Sequence, residues 1–180
     1  MRLRTLFGLI ALAPALAGAP AGSHAQSALE GTYALVADSS ADVGEAVREG
    51  TAGANFFVRK FGRRVLERTL KPVDTLRIAF VDDGVVITAT ERDAIRTPLD
   101  GSTTELRNAA GEMESVGTEW DGSSLVRVFR AAKGTREMRY ALEPDGDTLR
   151  VSVEVQASVL AAPIRYTLMY LRVGERRARD

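Results

Sequence analysis

ADVGEAVREGTAGANFFVRKFGRRVLERTLK, residues 41–71, is the one long helical pattern in a chain that otherwise alternates as strands do. Val43, Val47, Gly50, Ala54, Phe57, Phe61 and Val65 recur at steps of three and four, which puts them on one face of a helix. Gly50, Thr51, Ala52 and Gly53 interrupt the run, so the pattern predicts two short helices joined by a kink or turn. Arg59, Lys60, Arg63, Arg64 and Arg68 occupy the other sides of the second helix. Asp38, Ser39 and Ser40 precede the stretch as turn and N-cap residues, and Pro72 stops it. One helical pair early in a run of strands needs a surface to cover. The open end of a barrel is the expected one.

The flanking sequence has period two. Leu29 to Val36 reads as a short first strand. After the helices, Leu76, Ile78 and Phe80 alternate with Thr75, Arg77 and Ala79, and Asp82-Asp83-Gly84 signals a hairpin back through Val85, Ile87 and Ala89. A weaker strand covers 92–97 and is ended by Pro98, Asp100 and Gly101. Strands at 103–108 and 112–120 are split by Ala109-Ala110-Gly111. Asp121-Gly122 and Lys133-Gly134 turn the chain around strands 125–130 and 136–142. Pro144-Asp145-Gly146 is the strongest turn signal. Beyond it Leu149, Val151, Val153 and Val155 point one way, and Arg150, Ser152, Glu154 and Gln156 the other, giving one buried and one wet face. The last strand is 164–173.

Turn signals about every ten residues, with no helix between strands, predict a mainly all-β fold. It is an antiparallel up-and-down barrel of about 8–10 strands, with a helix-turn-helix between strand 1 and strand 2. A sheet of that size closes to remove its edges.

The two ends read differently. Arg2 and Arg4, the apolar run from Leu6 to Leu16 and the small residues up to Ala25 have the pattern of a secretory signal peptide cut after Ala25. The apolar run is shorter than the ~20 residues of a spanning helix. The expectation is a periplasmic or secreted protein with a single domain over 26–173, a helical lid at 41–71, and a disordered charged tail at 174–180.

Composition removes several chemistries. There is no cysteine, and the one histidine, His24, falls in the expected leader. Disulfides, thiolate metal sites, His-ligated zinc and Ser-His-Asp catalysis are therefore excluded from the expected mature chain. No cofactor or metal is implied, because Asp82-Asp83 and Asp145-Gly146-Asp147 sit in turns where Asp serves the backbone. A formal net charge of +0 argues against nucleic acid as a partner. An outer-membrane barrel does not fit either, since Arg150, Ser152, Glu154 and Gln156 would face lipid.

The layout resembles the calycins, the lipocalin and fatty-acid-binding-protein group. Gly31-Thr32-Tyr33-Ala34-Leu35-Val36 resembles the group's Gly-x-aromatic first strand. The helical stretch with Lys71-Pro72, the hairpin Asp82-Asp83-Gly84-Val85-Val86-Ile87-Thr88 and the terminal Tyr170-Leu171-Arg172 resemble it in order and spacing. The resemblance implies a barrel holding a small hydrophobic or lipid-like ligand. It also implies that Arg172 packs over Tyr33 to close the barrel. Tyr33 stands where lipocalins usually have Trp. Leu168 stands where the group's last strand often has a carboxylate-binding Arg, so that headgroup site does not carry over.

Candidate ligand-contacting residues are Phe57 and Phe61 on the lid, with Leu76, Ile78, Phe80, Arg136, Met138, Tyr140, Val151, Val153, Tyr166, Leu168 and Tyr170 on the walls. Apolar alternation is equally consistent with a filled barrel. Arg136 shares a face with Met138 and Tyr140 and is a candidate partner for an acidic head. Arg127 and Arg130 compete for that role, because their strand is apolar on both faces. Arginine is seldom fully buried, which favours a solvated strand end or pairing with a surface Glu for all three. Phe56, Phe57 and Phe61 beside Arg59, Lys60, Arg63 and Arg64, in the basic helix 56–71, suit transient contact with an anionic membrane, the alternative being a solvated helix face on the lid. The leading reading is an exported, non-enzymatic binding protein for a small hydrophobic ligand. The alternative is a filled-barrel envelope interaction or structural protein.

Overall fold

Two-residue turns set the register of much of the chain. They join Val81 to Gly84, Asp121 to Ser124 and Ala131 to Gly134, and the strands on either side pair directly. The structure, a computed structural model, describes residues 26, 28–56, 58–108 and 111–174, with backbone only at 58 and 61. The expected leader with His24, Phe57, the side chain of Phe61, and residues 175–180 lie outside the described residues.

The described strands are β1 (Gly31–Leu35), β2 (Thr75–Val81), β3 (Gly84–Ala89), β4 (Ile95–Pro98), β5 (Asp100–Arg107), β6 (Met113–Asp121), β7 (Ser124–Ala131), β8 (Gly134–Leu142), β9 (Thr148–Ala157) and β10 (Ile164–Arg172). Helices α1 (Val43–Thr51) and α2 (Arg63–Thr69) lie between β1 and β2, and a π-helical turn at Val58–Gly62 leads into α2. The strands form one antiparallel ten-stranded sheet in the order β4-β3-β2-β1-β10-β9-β8-β7-β6-β5. It curls into a nearly closed barrel, with the helix-turn-helix between strands 1 and 2 as the sequence predicts. Strand β4 lies beside β5 and β6. Among the described residues no ladder joins β4 to β5, so the barrel has one seam.

Both strands at the seam are blunted. β4 has four residues and ends on Pro98, which has no N–H to offer. β5 bulges between Asp100 and Thr103. The sequence reading ends a strand with Pro98, Asp100 and Gly101. Instead Pro98 belongs to β4 and the next two residues open β5, because Gly101 takes a φ of 81° and turns the chain without a break. The turn acids serve the backbone. Asp145 Oδ1 accepts from Asp147 N at 3.0 Å and Thr148 N at 2.8 Å, and Oδ2 accepts from the Thr148 hydroxyl at 2.6 Å.

The helices depart from the sequence reading in three details. The N-cap of α1 is Asp42, whose carboxylate accepts from Glu45 N at 3.1 Å. Ser40 is occupied elsewhere: its hydroxyl donates to Val36 O at 2.8 Å and accepts from Met169 N at 2.9 Å, which ties the lid's root to β10. Gly50 is inside α1 and makes no kink. A Cβ there would run into Ile164 of β10, so the glycine allows close helix–strand approach. Val65, expected on the apolar face, is 53 % exposed, while Leu66 packs on the core and Leu70 is buried. The wide π turn shifts the phase of α2 relative to α1.

The end away from α1 is tied by one arginine. Arg172 Cζ stacks 4.8 Å from the buried Tyr33 ring. Its guanidinium also donates to Glu30 O at 2.5 Å and Ala28 O at 2.6 Å, and Tyr33 OH donates to Leu29 O at 2.8 Å. Arg172→Ala is expected to lower stability by about 1–3 kcal/mol in urea unfolding with an unchanged slope. Arg172→Lys recovers only part of this, because an ammonium cannot span two carbonyls while lying flat on a ring.

Candidate functional site

Register decides which side chains share the interior. Ile164, Tyr166, Leu168 and Tyr170 of β10 pair with Val155, Val153, Val151 and Leu149 of β9. These pair in turn with Arg136, Met138, Tyr140 and Leu142 of β8. The next row is Phe129, Arg127 and Leu125 of β7, opposite Arg136, Met138 and Tyr140. Leu76 and Ile78 complete the buried cluster from β2, with Phe80 packed against it. The structure thus brings Leu76, Ile78, Phe80, Arg136, Met138, Tyr140, Val151, Val153, Tyr166, Leu168 and Tyr170 to the inner walls.

The interior has a lid end and a far end. Gly50 of α1 sits on Ile164, so the level of Ile164, Val155, Arg136 and Phe129 lies under the lid. Trp120, opposite Leu125, and Phe80 mark the far end. Their rings stack at 6.0 Å with an interplanar angle of 17°. Phe80, Ile95, Trp120, Arg136 and Met138 are on inward rows yet keep part of their surface accessible, whereas Tyr33, Ile78, Val85 and Leu149 are sealed.

Two arginines lie among these walls. Arg127 is 2 % exposed, which overturns the expectation of a solvated strand end. Its Nε donates to Thr118 Oγ1 at 3.1 Å, and Nη2 donates to Thr97 Oγ1 at 3.1 Å and Ile95 O at 3.3 Å. The Thr97 hydroxyl donates to Thr118 at 2.7 Å. Arg136 lies one level nearer the lid, its Cζ 4.2 Å from the Phe129 ring centre. Its Nε is buried and has no hydrogen-bond partner. Among the described residues, no carboxylate comes within ion-pair distance of either arginine. Burial pushes both guanidinium pKa values below the ordinary arginine range, with Tyr140 opposing at both and the more distant Glu114 carboxylate also opposing at Arg136. Arg130, the other competitor on β7, is exposed.

Sequence reasoning did not single out Thr97, Thr118, Trp120 and Phe129, and it left Arg127 among competitors. The signal was in the β7–β8 turn: two residues, Ala132 and Lys133, place Arg127 opposite Met138 and so on the same inward row. Phe57 and Phe61 lie outside what is described of side chains. Among the described residues no group of three or more His, Cys, Asp or Glu could hold a metal ion.

No protein-family model matches the chain, and no curated protein matches it in sequence. Solved structures match its shape. A Schistosoma mansoni fatty acid binding protein in complex with arachidonic acid superposes with a TM-score of 0.55 at 14% identity, covering 83% of this chain and 99% of that one. Fatty-acid-binding protein 1 of Echinococcus granulosus gives 0.54 at 13% identity, covering 82% and 99%. A secretory abundant heat soluble protein from Ramazzottius varieornatus gives 0.57 at 9% identity, covering 81% and 96%. The chain shares with these structures a barrel fold, here of ten antiparallel strands with a helical pair between the first two, as the resemblance to the calycins implies. At these identities the likeness is one of fold.

All four tyrosines of the chain, Tyr33, Tyr140, Tyr166 and Tyr170, are buried in the barrel. Burial raises every one of their pKa values, Tyr166 from 10.0 to about 12. Arg136 opposes the rise at Tyr140 and Tyr166. The folded state thus favours the protonated phenols. Their contribution to stability is complete below pH 10.0 and is lost as pH rises toward 12. Phenolate absorbance should stay flat through pH 10 and then rise together with loss of the fold. A tyrosine titrating normally while the fold persists would contradict this burial.

Proposed function

We propose that the protein is an exported carrier that holds a hydrophobic molecule with an anionic head inside the barrel. The observation that carries this is Arg136: a guanidinium on an inner wall, with a buried unpaired Nε and, among the described residues, no carboxylate in ion-pair range. Leaving such a donor unmade costs about 1–3 kcal/mol, and an anionic ligand supplies the missing acceptor. The tail of the ligand would exchange water for Met138, Val153 and the neighbouring apolar rows at about 25 cal/mol per Å². The neighbours named as fatty-acid-binding proteins support the reading, and the leader pattern at the N-terminus supports export. The accessible inward side chains favour this over a filled structural barrel.

Displacement of an apolar fluorescent probe by dodecanoic acid and by its methyl ester tests the proposal. Wild type should bind both. Arg136→Met should weaken the acid about 10–100-fold and leave the ester nearly unchanged. Failure of wild type to take up either ligand would contradict the carrier reading.

The lid adds a second element. Arg59, Lys60, Arg63, Arg64 and Arg68 are exposed on it, next to the exposed Phe56 and Val65. This surface suits transient contact with an anionic membrane, at about 1 kcal/mol per basic residue. Arg59→Glu combined with Arg64→Glu should reduce co-sedimentation with phosphatidylserine vesicles, as should added salt. Equal sedimentation of both proteins at low salt would contradict membrane contact.

A further inference from the structure

Among the described residues two buried side-chain nitrogens lack a hydrogen-bond partner, Arg136 Nε and Trp120 Nε1. Both are donors. They stand at opposite ends of the interior, Arg136 under the lid and Trp120 at the far end. Trp120 pairs with Leu125 and Arg136 with Phe129. Four residues of β7 therefore separate the two levels, about 13 Å at the rise of a strand.

Trp120 is the chain's single tryptophan. Its ring stacks on Phe80 although β6 and β2 are not neighbours in the sheet, so the pair reaches across the interior. Thr118, two residues back on the same inward row, cannot serve the indole readily. Its oxygen already receives Arg127 Nε and the Thr97 hydroxyl. Buried donors without partners are uncommon in native proteins, and a site built around one rejects an analogue that leaves it unpaired.

We propose that the barrel takes a two-ended ligand: a long-chain acid whose anionic head meets Arg136 and whose far end carries an oxygen that accepts from Trp120 Nε1. A hydroxyl, keto or ester oxygen near the far end of a chain that spans the two levels, about 13 Å along the strand direction, meets the second donor. A plain alkyl tail leaves the indole N–H unmet. The head-group half of this inference rests on the carrier reading above, and the Trp120 half stands on its own observation.

The test compares ω-hydroxydodecanoic acid with dodecanoic acid on wild type and Trp120→Phe, which keeps a ring against Phe80. The substitution should weaken the hydroxy acid about five- to tenfold and change dodecanoic acid by less than about twofold. On wild type alone, the single indole N–H resonance should move downfield and exchange more slowly with the hydroxy acid only. This second readout holds even if the variant does not fold. Equal effects on both acids, with binding still dependent on Arg136, would overturn the two-ended ligand and leave the carrier standing. No binding of either acid would overturn both.

Discussion

A guanidinium with no carboxylate in ion-pair range among the described residues ties this barrel across its seam. The sheet's edges, β4 and β5, share no ladder among the described residues. Arg127 reaches from β7 to Thr118 on β6 and on to Thr97 and Ile95 on β4, so three strands are tied across the seam by one side chain. Removing a cation from water costs several kcal/mol, and hydrogen bonds to neutral hydroxyls and a carbonyl offset only part of that. The remainder is an interior that favours negative charge. Closure and an interior suited to an anion thus share one cause. Arg136, one level up and less satisfied, is where that preference can be met by something from outside.

The lid is joined to the barrel by the same economy of polar groups. Tyr166 OH donates to Leu70 O at 3.4 Å and Tyr170 OH to Val73 O at 3.1 Å, at the junction between α2 and β2. Ser40 fixes the other root of the lid against β10. Between these roots α1 rests on β10 through Gly50 and buries Val43 and Val47 in the core, whereas α2 leaves Val65 and its arginines outside. The root points are tied by hydrogen bonds, and the outer helix buries less of its surface.

Much of the fold could be read directly. Period-two alternation and turn residues locate the strands, because a half-buried strand and a two-residue turn leave strong local marks. The run at 41–71 was legible as a helical pair for the same reason. What escaped depends on non-local geometry. Strand β5 begins at Asp100 because of a bulge against β6, which no local pattern announces. Val65 faces outward because a π turn shifts the helix phase. Arg127 and Trp120 are ordinary strand residues until register places one across the seam and the other against Phe80. Burial of arginine runs against its usual preference, so residue type pointed away from the side chain that matters most.

The barrel's interior, between the two unpaired donors, is the ligand site proposed for this protein. A crystal structure of the protein grown with dodecanoic acid tests it most directly. The account predicts a carboxylate against Arg136 beneath α1, with the chain running past Met138 and Val153 toward Trp120. Ligand density confined to the outer-wall grooves beside Arg139 and Glu154, or beside Arg77 and Arg172, with side chains filling the interior, would contradict it.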